Sequence, residues 1–379
     1  MQAKRVIQEA EQKKRAIQEA EEQAKRAIQE AEEREMQAKS AIEEAEQAKR
    51  AIEKQNPSSK KPPDAKVSGQ SDAQASSPFH EELHLGPFIV KLERRLGQGS
   101  FGTVFLATYK PSGRQVAVKV CLGQDRTEEL KNEAQIYSRL SSRGGGHDNV
   151  LTCLDNSFRE QPQKNFDDIS WLALPLVTSG SLYKFLKKQG PLKSPASAAA
   201  TYQCASALLH LHQCEVVHLD VKPLNILWDD SSQHLWLMDF GSSDVCVPKS
   251  GALGMAKDWY TTPAYRPPEL WKRRPDRRCL CPLADVFSFG CTVFELHVGS
   301  RLSTQVFRGS NVAADHADGF AWITRWSGLR RGAAANDLRQ RFGVSSLSAR
   351  ACQCVWECCS TQPFERADGL KNALNYFSA

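Results

Sequence analysis

The sequence contains no run of about 18 apolar residues, so no membrane-spanning helix is expected. Its opening, Met1 to Arg5, continues as charged helix and lacks the apolar stretch of a secretory signal. Gln2 stands where N-myristoylation needs glycine. Basic residues are scattered and form no stripe with aromatics, so a net charge of +6 makes no case for nucleic acid. Twelve cysteines are present, but they do not form paired C-x-x-C knuckles. No histidine lies at ligand spacing from Cys279, Cys281, Cys352, Cys354, Cys358 or Cys359, which argues against zinc. Cys153, Cys204, Cys214 and Cys291 sit singly in apolar runs. Buried reduced thiols are expected, and with them a cytoplasmic or nuclear location.

What the sequence does contain falls into three regions. The 379 residues are 41% hydrophobic and 25% charged, enough for a two-lobed globular enzyme with an appendage. Residues 1–55 are almost wholly Ala, Glu, Gln, Lys, Arg and Ile, with no Gly or Pro. The stretch Lys4 to Glu11 returns as Lys14 to Glu21 and Lys25 to Glu32, more loosely as Lys39 to Glu46. Glu precedes a base by four residues at Glu9/Lys13, Glu11/Arg15, Glu21/Lys25, Glu22/Arg26, Glu35/Lys39 and Glu46/Arg50. That is the favourable orientation on a helix. One helix here would be roughly 80 Å long. Ile7, Ile17, Ile28, Ile42 and Ile52 mix periods, so a coiled coil that self-associates and a lone charged spacer both fit.

Residues 56–82 are rich in Pro, Ser, Lys and Asp and read as a flexible linker. Residues 83–377 have a globular pattern. Short β-branched runs come first, at Phe88 to Leu92, Val104 to Thr108, Val116 to Val120 and Trp171 to Val177. Helical patterns follow at Ser194 to Cys214, Ala284 to His297 and Leu347 to Cys359. This order predicts an α+β protein with a β-rich small lobe and a larger helical lobe.

Three signals carry chemistry. Leu96-Gly97-Gln98-Gly99-Ser100-Phe101-Gly102-Thr103-Val104 places glycines where backbone amides can approach phosphate. A dinucleotide site would put a helix after these glycines. Here β-type residues stand on both sides, which predicts a strand-loop-strand hairpin. Val116-Ala117-Val118-Lys119 sets a lysine in an apolar strand, where it must point outward or be paired. Glu133, on the helical run Glu129 to Ile136, shares a face with apolar Leu130, Ile136 and Tyr137 and is the expected partner, ahead of Glu128 and Glu129.

With these residues the chain resembles the eukaryotic protein kinase family. His218-Leu219-Asp220-Val221-Lys222-Pro223-Leu224-Asn225 is similar to its catalytic loop and Asp239-Phe240-Gly241 to its magnesium motif. Pro267-Pro268-Glu269, the helix start Asp285 to Gly290 and Arg366 follow in the family's order. The resemblance implies that Lys119 holds ATP phosphates and that Glu133 orients Lys119. It makes Asp220 the residue that takes or orients the substrate proton, with Lys222 reaching the γ-phosphate. Asn225 and Asp239 would hold Mg²⁺. Leu96, Val104, Ala117 and Leu227 would line the adenine slot, Leu174 would guard its back, and the Pro175 carbonyl and Val177 amide would meet adenine. Lys222, and Thr262 ahead of Pro263-Ala264-Tyr265, resemble the serine/threonine branch. A pseudokinase scaffold is the competing reading, but Lys119, Asp220 and Asp239, which such scaffolds usually lose, are all present. One departure stands out. Leu219 occupies the place of an arginine that normally neutralises a phosphate on the activation segment, so activation through such a phosphate is not expected.

Overall fold

The computed structural model describes residues 82–99, 102–122, 124–158, 169–246, 261–271, 282–307, 320–331, 334–335 and 337–378. The chain divides into Met1–Ser77 and Pro78–Ala379, and all described residues belong to the second unit. The expected charged helix over 1–55, most of the linker, and Ser100, Phe101, Cys279 and Cys281 lie outside them.

The first half of the unit is a six-stranded antiparallel sheet. Its strands are β1 (Glu82–Leu85), β2 (Phe88–Gly99), β3 (Gly102–Tyr109), β4 (Arg114–Leu122), β5 (Asp155–Asn156) and β6 (Ile169–Pro175), in the order β1-β2-β3-β4-β6-β5. Alternation along β4 sorts its residues between two cores. Val116, Val118 and Val120 pack on one face with Phe88, Val90, Ala107 and Trp171. Ala117 and Cys121 face the other way, toward Leu130, Ala134 and Tyr137 of helix α1 (Gln124–Gly144). Lys119 has the same parity as Ala117 and Cys121, so its stem points at that helix. The strand expected to reach Val177 stops at Pro175, which cannot donate to a ladder.

The second half is helical. It holds α2 (Leu182–Gln189), α3 (Ala196–Gln213), α4 (Leu283–Val298), α5 (Leu302–Val306), α6 (Phe320–Arg330), α7 (Asp337–Phe342), α8 (Ala349–Cys358) and α9 (Gly369–Phe377). Between them run the short strands β7 (Val216–Val217), β8 (Ile226–Asp229), β9 (His234–Leu237) and β10 (Asp244–Val245), pairing as β8 with β9 and β7 with β10. Helix α2 starts on Ser181, whose hydroxyl accepts the Lys184 amide at 3.4 Å, and stops at Gly190 with φ +82°. Residues 284–297 of α4 are buried on every side, which makes it the axis of this lobe. Ten cysteines are free among the described residues, nine of them buried. Burial pushes the Cys204 thiol up to about 12, so it stays protonated at neutral pH. No described helix is long and apolar enough to cross a membrane.

Candidate active site

The site forms where the sheet meets the helical lobe, and each charged group is held by named partners. Lys119 is 6% exposed. Its Nζ donates to Glu133 Oε2 at 2.7 Å and to Asp239 Oδ1 at 2.9 Å. Burial by itself lowers the pKa of this lysine. The Glu133 and Asp239 carboxylates outweigh burial and hold the ammonium charged well above its usual range. One cation thus serves two carboxylates. Burial drives the Glu133 pKa up despite Lys119. Burial also opposes ionisation of Asp239, yet Lys119, with His218 and Lys222 behind it, keeps that carboxyl below its ordinary value. The rivals Glu128 and Glu129 are not in this group, and Glu128 pairs instead with exposed Lys131.

The catalytic-loop residues converge on Asp220. Its Oδ1 accepts from the Thr262 hydroxyl at 2.8 Å and the Thr262 amide at 3.1 Å. Its Oδ2 takes Lys222 Nζ at 2.6 Å and Asn225 Nδ2 at 2.9 Å. Lys222 Nζ also donates to the Thr262 hydroxyl at 2.6 Å. The loop is fixed from below by Asp285 at the start of α4, which is fully buried. Asp285 Oδ2 accepts the His218 amide and Oδ1 the Leu219 amide, both at 2.8 Å. His212 Nε2 reaches Oδ2 at 2.9 Å. His218 Nδ1 accepts the Asp220 amide at 3.2 Å, so its Nε2 carries the proton that goes to the Met238 carbonyl at 3.1 Å. Leu219 and Asp239 both adopt left-handed backbone, at φ +64° and +66°. Non-glycine residues rarely do so, and such strain gathers where a site must fix its groups.

Phe240 anchors the segment that carries Asp239. Its ring meets Tyr137 of α1 edge-on at 5.0 Å and His218 at 5.3 Å, linking the helix, the Asp239 segment and the loop that holds Asp220 through one contact chain. Farther along, Arg366 makes a two-pronged pair with Glu269, with both nitrogen–oxygen distances 2.8 Å.

The residues expected around adenine come from five strands, Leu96 on β2, Val104 on β3, Ala117 on β4, Leu174 on β6 and Leu227 on β8. Ala117, Leu174 and Leu227 are buried, Val104 is half-buried and Leu96 is 40% exposed. Leu174 lies opposite Ala117 and Pro175 opposite Val116 across β4 and β6. Gly97, Gln98, Gly99, Gly102 and Thr103 make the β2–β3 hairpin, with Gly99 opposite Gly102. Ser100 and Phe101 at its tip lie outside the described residues. Gly102 has φ +136°, and a Cβ there would sit 2.6 Å from Cys121 Sγ and 2.8 Å from the Val120 carbonyl, so no other residue fits. Among the described residues no three His, Cys, Asp or Glu form a metal cluster. Asp239 and Asn225 instead offer the sparse oxygen set that suits Mg²⁺, which keeps waters and substrate phosphates as its other ligands.

Several contacts were not foreseeable from the residues. The side chains of Asn132, Arg139 and Glu215 tie α1 to the helical lobe, and no motif or spacing in one sequence marks them.

A β-sheet lobe joined to a helical lobe, with a buried lysine–carboxylate pair and a loop aspartate bonded to a lysine, an asparagine and a threonine, is the architecture of a phosphotransferase. Residues 90–376 match the protein kinase domain family, and the chain belongs to that family. It is 28% identical over 233 residues to human 3-phosphoinositide-dependent protein kinase 1, covering 61% of this chain and 39% of that protein. It is 32% identical over 212 residues to the serine/threonine-protein kinase fused of Drosophila melanogaster, covering 54% of this chain and 23% of that protein. Mitogen-activated protein kinase kinase kinase YODA of Arabidopsis thaliana is 30% identical over 213 residues, with 54% and 22% covered. The chain therefore spans well under half the length of these relatives.

Proposed function

We propose that the chain is an ATP-dependent serine/threonine protein kinase. The observation that carries this reading is Lys119 bound to both Glu133 and Asp239, at 2.7 and 2.9 Å, together with an Asp220 held by Thr262, Lys222 and Asn225. Phosphoryl transfer asks for positioning and charge stabilisation more than for covalent chemistry. Lys119, kept charged and aimed by Glu133, grips the α- and β-phosphates. Asp220 orients the substrate hydroxyl and receives its proton. Lys222, already at the Asp220 carboxylate, steadies charge developing on the transferred group. Asp239 and Asn225 would hold Mg²⁺, which screens the repulsion between phosphates. Ala117, Val104, Leu96 and Leu227 clasp adenine against the Pro175–Val177 connection, and the Gly97–Gly102 hairpin covers the phosphates.

Lys222 bound to the Thr262 hydroxyl supports the serine/threonine class over tyrosine. The partner is then a protein bearing such a hydroxyl. Free, buried cysteines favour the cytoplasm or nucleus. Residues 1–55 would serve self-association or location.

The test is transfer of labelled phosphate from ATP and Mg²⁺ to a generic basic protein, comparing the intact chain with Asp220→Asn and Asp239→Asn. Label on serine or threonine, lost in both variants, is expected. Nucleotide binding without transfer would replace the kinase reading with that of a scaffold.

A further inference from the structure

Glu133 can steady Lys119 only while α1 keeps its place, and α1 is held on two sides. One side is apolar, with Leu130, Ala134, Tyr137 and Leu140 packed in the main core. The other carries Asn132, Arg139 and Arg143, spaced seven and four residues apart, which puts them on a single stripe of a helix. All three reach backbone or side chains of the helical lobe. Asn132 Nδ2 donates to the Ser243 carbonyl at 3.0 Å. Arg139 Nε donates to the Cys214 carbonyl at 2.8 Å, and its Nη2 to Glu215 Oε2. Arg143 Nη1 reaches the same carboxylate oxygen at 2.5 Å.

The acceptors belong to one small piece of structure. Cys214 and Glu215 lead directly into β7, and β7 leads into His218 and the catalytic loop. Ser243 follows Asp239 by four residues and leads into β10. β7 and β10 pair through Asp244↔Val217 and Val245↔Val216. The Cys246 amide extends that ribbon to the Glu215 carbonyl at 2.9 Å, and the Ser243 hydroxyl closes it on the His218 carbonyl at 3.1 Å. The stripe on α1 therefore grips the ribbon that carries both Asp220 and Asp239 from one of its ends.

We propose that Asn132 and Arg139, with Arg143, are positioning residues that lock α1 to the β7–β10 ribbon and so fix Glu133 on Lys119 without a modification of the activation segment. The proposal rests on the kinase reading for its consequence in turnover, while the lock itself is a property of the fold. Arg139 is the decisive member. Its planar fork spans a carbonyl and a carboxylate at once, which a lysine ammonium on a flexible stem cannot reproduce. The Arg139 bonds are charge-assisted and stronger than neutral ones, and its pair with Glu215 is part-exposed.

Two measurements on the full chain decide it. The first is backbone hydrogen exchange of α1 in Asn132→Leu, Arg139→Lys and Arg139→Gln, with α4 as an internal reference for folding. Faster exchange confined to α1 is expected in all three, and unchanged α1 protection would overturn the proposal. The second is a double-mutant cycle in the transfer assay. Arg139→Gln should lower kcat/KM for ATP roughly 10–100-fold, because displacement of a positioned group by about 1 Å costs that much. In a Glu133→Gln background the same change should cost almost nothing, since the group it positions is gone. Equal losses in both backgrounds would make Arg139 a general structural residue and end the proposal. If the wild-type chain transfers no phosphate, the kinase reading falls, and hydrogen exchange alone judges the lock.

Discussion

The Thr262 hydroxyl donates to Asp220 Oδ1 at 2.8 Å and accepts from Lys222 Nζ at 2.6 Å, so one side chain bridges the two groups assigned to proton and phosphate handling. Thr262→Val keeps the shape and removes the bridge. It should lower kcat by roughly a hundredfold or more, the scale of a lost acid–base arrangement. Thr262→Ser restores the hydroxyl and should retain most activity. Steady-state kinetics of the two variants, with equal melting temperatures as a control, would check this, and a fully active Thr262→Val would refute it.

Leu219 packs with Val217, Cys246, Leu270 and Ala284 in a small apolar cluster. A cluster of this kind has no use for a phosphate. Alanine at Ser242, Ser243, Ser250 or Thr261, one at a time, should leave phosphorylation-dependent activation absent. Loss of activity at any one of them, restored by an acidic replacement, would contradict this. Leu219→Arg should instead destabilise the fold by at least about 2 kcal/mol, because it buries a charge among apolar neighbours. Denaturant unfolding gives that value.

Glu269 and Arg366 are 6% and 0% exposed and meet in a bidentate pair. Arg366 also donates to the Ser360 and Leu283 carbonyls at 2.6 and 2.8 Å and lies 5.1 Å from the Phe287 ring centre. Arg366→Met leaves Glu269 buried and unpaired, and should cost roughly 3–5 kcal/mol. Arg366→Lys should be nearly as damaging, since an ammonium cannot serve four acceptors in one plane. Urea midpoints measure both, and a loss under about 1 kcal/mol for Arg366→Met would contradict the pair's importance.

Tyr137 is 3% exposed, and its hydroxyl has no hydrogen-bond partner among the described residues. Burial pushes its phenol well above the usual range, so the group stays neutral. A buried hydroxyl without a partner costs free energy that phenylalanine would not. Tyr137→Phe should therefore leave stability unchanged or raise it by about 1 kcal/mol, while the edge-on contact with Phe240 persists. A drop in melting temperature would show that the hydroxyl has a partner in solution.

His297 lies 4% exposed in α4, and burial holds its pKa down at about 4, against an ordinary value of 6.5. The unfolded chain takes a proton at this position below pH 6.5 that the folded chain refuses. The folded state thus keeps its full advantage above pH 6.5 and loses it progressively as pH falls toward 4, by about 3 kcal/mol in all. His297→Gln removes that titration. Its stability curve between pH 7.5 and 4.5 should fall less steeply than that of the wild type, and parallel curves would count against the burial of a neutral imidazole.

The sequence made some parts of this arrangement readable because their chemistry tolerates few residue types. Lys119 in an apolar strand had to point outward or be paired, and Glu133 was the carboxylate on the packed face of the next helix. Gly102 could be picked out as a glycine that the hairpin needs, although the closeness of Cys121 could not. The α1 stripe escaped notice because asparagine and arginine on a helix look like a solvated face until their partners are known. Those partners are mostly backbone carbonyls, which every residue has. Cys214 and Ser243 leave no trace in side-chain identity, and Glu215 resembles any surface acid.

The Glu269–Arg366 pair also has a meaning in time. Arg366 follows Glu269 by 97 residues, so at roughly 5–20 residues per second of synthesis the carboxylate waits about 5–20 s for its counter-ion. Through that interval the face of the Phe287 ring that meets the guanidinium at 5.1 Å also lacks its cation.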